Sequence, residues 1–141
     1  MTPAERYEWC NQEEERLLLG GYVISEWATL MSYEAHTCFT SGADISTIIL
    51  AASTCETYLQ SELGHERMTF ADLIDASGLE DDLQFQLHTL RRKRNGWVHP
   101  DKVRTSKELG CYSEAYTPEL LDDAKHSYST MLRTLFSFPL V

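Results

Sequence analysis

Apolar residues along this chain recur every three or four positions, and no segment alternates convincingly with period two. That is the spacing of helices that bury one face. Leu83, Leu87 and Leu90 are in phase between Glu80 and about Gly96. Ile45, Ile48, Ile49, Ala52, Leu59 and Leu63 share a face of a stretch that Ser41-Gly42-Ala43-Asp44 opens as a capping signature and that runs to about Leu63. Leu121, Ala124, Tyr128, Leu132 and Leu135 make a third stripe, in a last helix expected to start at Thr117-Pro118. Ile24, Trp27, Met31 and Cys38 lie on one side of a stretch from Tyr22 to about Phe39.

Start and stop signals bound these stripes. Thr2-Pro3-Ala4-Glu5 supplies an N-cap, proline at N1 and glutamate at N3, so a first helix should run to about Leu19, where Gly20-Gly21 interrupts it. Thr69–Ala76 is predicted as a short helix closed by Ser77-Gly78, and residues 100–116 as a long loop. The expected fold is all-α, a bundle of four to five main helices. At 141 residues it is one domain, 1–141, in which a helical extension at about 2–19 precedes a core of about 22–136.

Composition adds class. With 43% hydrophobic and 24% charged residues the chain has ordinary globular character. The opening "MTPAERYEW" carries no apolar stretch of a signal peptide, and the longest purely apolar run, "IILAA", is too short to span a bilayer. No membrane association and a cytoplasmic location are expected. Cys10, Cys38, Cys55 and Cys111 are scattered, without a CxxC pair or a histidine at ligand spacing, which points to reduced thiols. Neither a metal nor a cofactor is expected.

Charge changes the picture most. The net charge is −10, yet seven of the twelve Lys and Arg residues lie between 91 and 107: Arg91, Arg92, Lys93, Arg94, Lys102, Arg104 and Lys107. An acidic protein is a poor nonspecific nucleic-acid binder. A single compact basic patch still suits local contact with a polyanion, an acidic partner or a second copy of the chain. The patch centres on Arg91–Pro100, "RRKRNGWVHP".

At 100° per residue Arg94 continues the inward stripe of Leu83, Leu87 and Leu90. The same arithmetic sets Glu56 near the middle of the Ile45/Ile49/Ala52/Leu59 face. Charges on apolar faces are costly unless paired, so Glu56 and Arg94 are expected to meet, either as a structural ion pair or as a carboxylate that orients Arg94. His99 precedes Pro100, which disfavours helix at that position, so its imidazole should sit where the helix has ended. An arginine offers a planar fork for phosphate, a histidine moves a proton near neutral pH, and Asn95 adds a hydrogen-bonding amide.

Arg94-Asn95-Gly96-Trp97-Val98-His99 resembles the R-x4–6-H signature of HEPN domains, including the polar residue that often follows the arginine. The order of helices around it, from about Tyr22 to Phe136, is also similar. The resemblance implies a homodimeric helical bundle and a metal-independent endoribonuclease, found in toxin–antitoxin pairs, phage defence or RNA processing. Its partners would be RNA and an antitoxin or other regulatory protein. Some members of the family only bind RNA or proteins, so a non-catalytic module is the alternative.

Within that reading Arg94, Asn95 and His99 are the catalytic candidates, and Glu56 orients Arg94. Arg91, Arg92, Lys93, Trp97, Lys102 and Arg104 are candidate RNA contacts. The choice between base stacking and core packing is open for Trp97, and Tyr112 and Tyr116 belong either to a substrate-contacting loop or to a plain one. His36, His65, His88 and His126 are read as surface residues outside any constellation.

Overall fold

A computed structural model describes residues 1–18, 24–64, 66–99 and 112–137. Those residues form six helices and no strand: α1 (Pro3–Leu17), α2 (Glu26–Thr40), α3 (Asp44–Leu63), α4 (Phe70–Ala76), α5 (Asp81–Val98) and α6 (Tyr112–Phe136). The all-α expectation holds. His65, Lys102, Arg104, Lys107 and Cys111, with the Gly20-Gly21 break, lie outside the described residues.

Local signals account for most helix ends. Thr2 caps α1 as read: its Oγ1 accepts from the Glu5 N–H at 3.1 Å, while its own N–H donates to the Glu5 carboxylate at 2.6 Å. Thr69 caps α4, and Ser77 with the left-handed Gly78 closes it. Three boundaries differ from expectation. Helix α2 begins only at Glu26, because Ser25 caps it by accepting from the Ala28 N–H. Helix α3 has Ala43 at its N-cap with no side-chain cap, since Asp44 is the first helical residue and its carboxylate is bound elsewhere. Helix α6 starts at Tyr112 and carries Pro118 inside it, so residues 112–116 are helix rather than loop. The proline removes one helical hydrogen bond there.

Helix α3 is the hub, packing against α2, α4, α5 and α6, with its broadest contact on α6. Phe39, Ile48, Leu59, Leu73, Leu87, Leu90, Tyr128, Met131 and Leu135 are fully buried between them. Each large apolar side chain contributes about 1.5–3 kcal/mol relative to exposure. The inward face of α3 is rotated from the predicted one. Thr47, Ala51, Thr54, Cys55 and Tyr58 are buried with Ile48, whereas Ile45 and Ile49 are each 38% exposed. The buried hydroxyls make this possible, because Thr47 and Thr54 donate to the carbonyls of Ala43 and Leu50 one turn back. Likewise α2 turns Ala28, Ala35 and Phe39 inward, and leaves Leu30 and Tyr33 exposed.

Helix α1 is built into the same core. Arg6 is buried and donates to Asp44 through Nη1 (2.6 Å) and Nη2 (3.1 Å), and from Nη1 to the Phe39 carbonyl (2.9 Å). Trp9 packs on Phe39 and Tyr128, with ring centroids 5.0 and 5.9 Å away. The Tyr128 hydroxyl donates to Glu14 at 2.9 Å and Ser129 donates to Glu13 at 2.6 Å, which ties α1 to α6. No helix of the described residues is long and apolar enough to cross a membrane.

Candidate functional site at the end of α5

The leucines of α5 hold its axis against α3 and α6, and this aims its last two turns. Leu83, Leu87 and Leu90 are buried, and Arg94 continues their phase just past the core. Its guanidinium lies over the Phe70 ring of α4, 5.8 Å from the centroid, an arrangement that favours a cation. Nε and Nη2 of Arg94 donate to Asn95 Oδ1 at 3.3 and 3.2 Å. Arginine and asparagine are therefore brought together.

Glu56 is not brought to them. It is half-buried on the flank of α3 that also carries Ile45 and Ile49, and no hydrogen bond or ion pair joins it to Arg94 among the described residues. Instead it lines a cleft of about 440 Å³ with Thr57, Gln60, Arg67 and Met68. Gln60 shapes that cleft by donating to the carbonyls of Gly64 and Glu66 and accepting from the Met68 N–H. The rotation of α3 moves Glu56 from the middle of the inner face to its edge. Among the described residues Arg6 and Asp44 form an ion pair buried on both sides, a pairing that helical periodicity did not anticipate.

His99 is the first residue past α5. Its N–H closes the helix on the Asn95 carbonyl at 2.8 Å, and the backbone then leaves helical space at φ −128°, ψ 64°. The residue sits where the helix has ended, as the proline argument anticipates, and its imidazole is exposed. Asn95 thus faces both members of the motif: its side chain holds Arg94, and its carbonyl receives the His99 backbone.

The remaining basic residues divide by helix flank. Arg92 is exposed. Lys93 forms an ion pair with Asp123 of α6, and Trp97 Nε1–H donates to the other oxygen of the same carboxylate at 2.9 Å. Asp123 is buried, so Lys93 and Trp97 brace the end of α5 against α6. Tertiary structure alone reveals Asp123, which stands in sequence as one more acid in an acidic helix.

On the opposite flank His88 is half-buried, contrary to its reading as a plain surface residue. Its Nε2 is 2.8 Å from Asp75 Oδ1 of α4, and its Nδ1 is 3.4 Å from Arg91 Nη2. His126 is also half-buried rather than on the surface, bonded through Nε2 to the Gln86 carbonyl at 3.2 Å. Burial lowers its pKa below the ordinary 6.5, which favours the neutral ring. His36 packs edge-on against Tyr7.

Four described cations meet carboxylates: Arg6 with Asp44, Arg16 with Glu13, Lys93 with Asp123 and Arg133 with Asp82. Arg91 and Arg94 differ, because their guanidinium groups meet a ring nitrogen of His88 and the amide oxygen of Asn95. Their positive charge is oriented but not neutralised, which is the state an anion-binding arginine needs. Among the described residues no group of three or more His, Cys, Asp or Glu side chains is placed to hold a metal ion. No family model matches the chain, and neither a curated protein nor a solved structure matches it.

Proposed function

We propose that this protein is a metal-independent endoribonuclease of the HEPN kind, acting in the cytoplasm as a homodimer with the motif ends of two α5 helices across a shared cleft. The observation that carries the reading is the end of α5 itself. There a guanidinium held by a neutral amide precedes, by five residues, an exposed histidine that has left the helix.

The chemistry needs few parts. A base takes the proton of the ribose 2′-OH, the 2′ oxygen attacks phosphorus, and the 5′ oxygen leaves with a proton from an acid. The product is a 2′,3′-cyclic phosphate and a 5′-hydroxyl. Arg94 would stabilise the charge gathering on the phosphate oxygens. His99 from each protomer would serve as base and acid, which is why a two-fold dimer suits the site. Arg91 and Arg92 would contact the flanking RNA backbone. The resemblance points to a toxin, phage-defence or RNA-processing setting, with an antitoxin or regulatory protein as a further partner.

The net charge of −10 favours a second reading, a non-catalytic module that holds RNA, a nucleotide or an acidic protein at the same basic end. Incubating wild-type and His99→Ala protein with an RNA pool in EDTA separates the two. Cleavage by wild type only, leaving 2′,3′-cyclic ends, supports the nuclease. Saturable binding without cleavage supports the module.

A further inference from the structure

Asp75, His88 and Arg91 form a hydrogen-bonded chain along the seam between α4 and α5. His88, Arg91 and Asn95 are spaced by three and four residues, so they share one stripe of α5. That stripe faces α4, since His88 reaches Asp75 there and Arg94, one turn beyond Arg91, lies over Phe70. Asp75 is mostly exposed and His88 mostly covered, with side-chain exposures of 68% and 21%. In the tautomer that donates Nε2–H to the carboxylate, Nδ1 carries a lone pair aimed at the Arg91 guanidinium.

Arg91 is held but poorly satisfied. Its contact to His88 is long at 3.4 Å, and its Nε is buried without a hydrogen-bond partner. A buried unsatisfied donor is uncommon and calls for an explanation. A carboxylate in place of His88 would satisfy the guanidinium and cancel its charge. An imidazole in that tautomer fixes its direction and leaves the charge available.

We infer that Asp75 and His88 are positioning residues that present Arg91 as the second phosphate-binding guanidinium of the α5 end, beside that of Arg94. The inference rests on the ribonuclease reading and deepens it. Two guanidinium groups one helical turn apart, about 5–6 Å between their Cβ atoms, suit neighbouring phosphates of one RNA strand. The substrate segment would then run along the α4–α5 seam, and not over the α6 flank that Lys93 and Trp97 close.

The test is binding of a fluorescein-labelled single-stranded RNA carrying 2′-O-methyl ribose throughout, whose 2′ oxygen is blocked from attack, titrated over a range of NaCl concentrations. Loss of one phosphate contact flattens the slope of log K against log salt by about 0.7 for a single strand. It also weakens binding roughly tenfold. Arg91→Ala and His88→Ala should each do this, and the double variant should lose no more than Arg91→Ala alone. Asp75→Ala, at an exposed position, should reproduce the effect of His88→Ala without that variant's risk to folding. His88→Gln, whose amide donates to Asp75 and accepts from Arg91, should restore the wild-type slope. Wild-type binding by both His88→Ala and Asp75→Ala, or additive losses in the double variant, overturns the positioning role and leaves the ribonuclease reading standing. Failure of wild-type protein to bind the probe overturns both.

Discussion

Trp97 of α5 donates its indole N–H to the buried carboxylate of Asp123 in α6 at 2.9 Å, and the other oxygen of that carboxylate is taken by Lys93. Two residues of the basic run thus brace the bundle, and the end of α5 is held from the α6 side. Asp123→Ala leaves the indole donor without this acceptor and should destabilise the protein by about 1–3 kcal/mol. Urea unfolding measures this, and an unchanged midpoint would show that the brace contributes nothing.

The Arg6–Asp44 pair carries a sharper expectation. Both side chains are 8% exposed, and Arg6 also holds the Phe39 carbonyl. Removing one charge strands the other, so Asp44→Ala should cost about 3–5 kcal/mol. Replacing both, as Arg6→Met with Asp44→Leu, should cost distinctly less than the sum of the single changes. A double-mutant cycle by chemical denaturation reads the coupling, and simple additivity would refute it.

Arg94 is oriented by Asn95, not by Glu56, so the two substitutions should separate. Under the ribonuclease proposal, Asn95→Ala should lower RNA cleavage roughly tenfold, the effect of about one charged hydrogen bond. Glu56→Gln should alter it less than about threefold on the same scale. Rates on one labelled RNA decide the matter; a larger loss in Glu56→Gln would restore the carboxylate as Arg94's orienter.

Burial lowers the His126 pKa below 6.5. A base depressed on folding contributes stability above its unfolded pKa and loses it as pH falls through 6.5 towards the folded value. Stability measured by denaturation should therefore decline below about pH 6.5, where the unfolded chain gains a proton that the folded one resists. His126→Asn should flatten that part of the profile.

The thiols behave oppositely. Burial pushes Cys10 and Cys55 up to about 12 from the usual 9.0. Their contribution is present below pH 9 and is lost as pH rises towards 12, since only the unfolded chain ionises easily in that window. At pH 8 both should resist iodoacetamide in the native protein and react once it is unfolded, which mass spectrometry reads directly.

Some features of the site were legible because they are local. Arg94 follows the leucine phase, and His99 leaves the helix before Pro100. Others were hidden because they depend on distant partners. His88 read as a surface residue until α4 brought Asp75 to it, thirteen positions away. Glu56 was set on the wrong part of α3, because counting large apolar residues weights Ile45 and Ile49, while the packed face is made of Ala51, Ala52, Thr54 and Cys55. Small residues and hydroxyls satisfied within the helix allow close packing, yet in a sequence they look polar or neutral.

By itself, then, the sequence determined the helical class, the capping box at Thr2 and Glu5, the inward leucines of α5, and the basic run that ends on a histidine past the helix. Each follows from interactions spanning no more than about one turn, which repeat wherever the same residues recur. Only the tertiary structure decided that Arg6 pairs with Asp44, that Asp123 binds Lys93 and Trp97, and that Arg91 meets His88. Those pairings depend on how the helices cross and how far each is rotated about its axis. A rotation of a few tens of degrees costs little in any isolated helix, but it changes every partner in the assembled bundle.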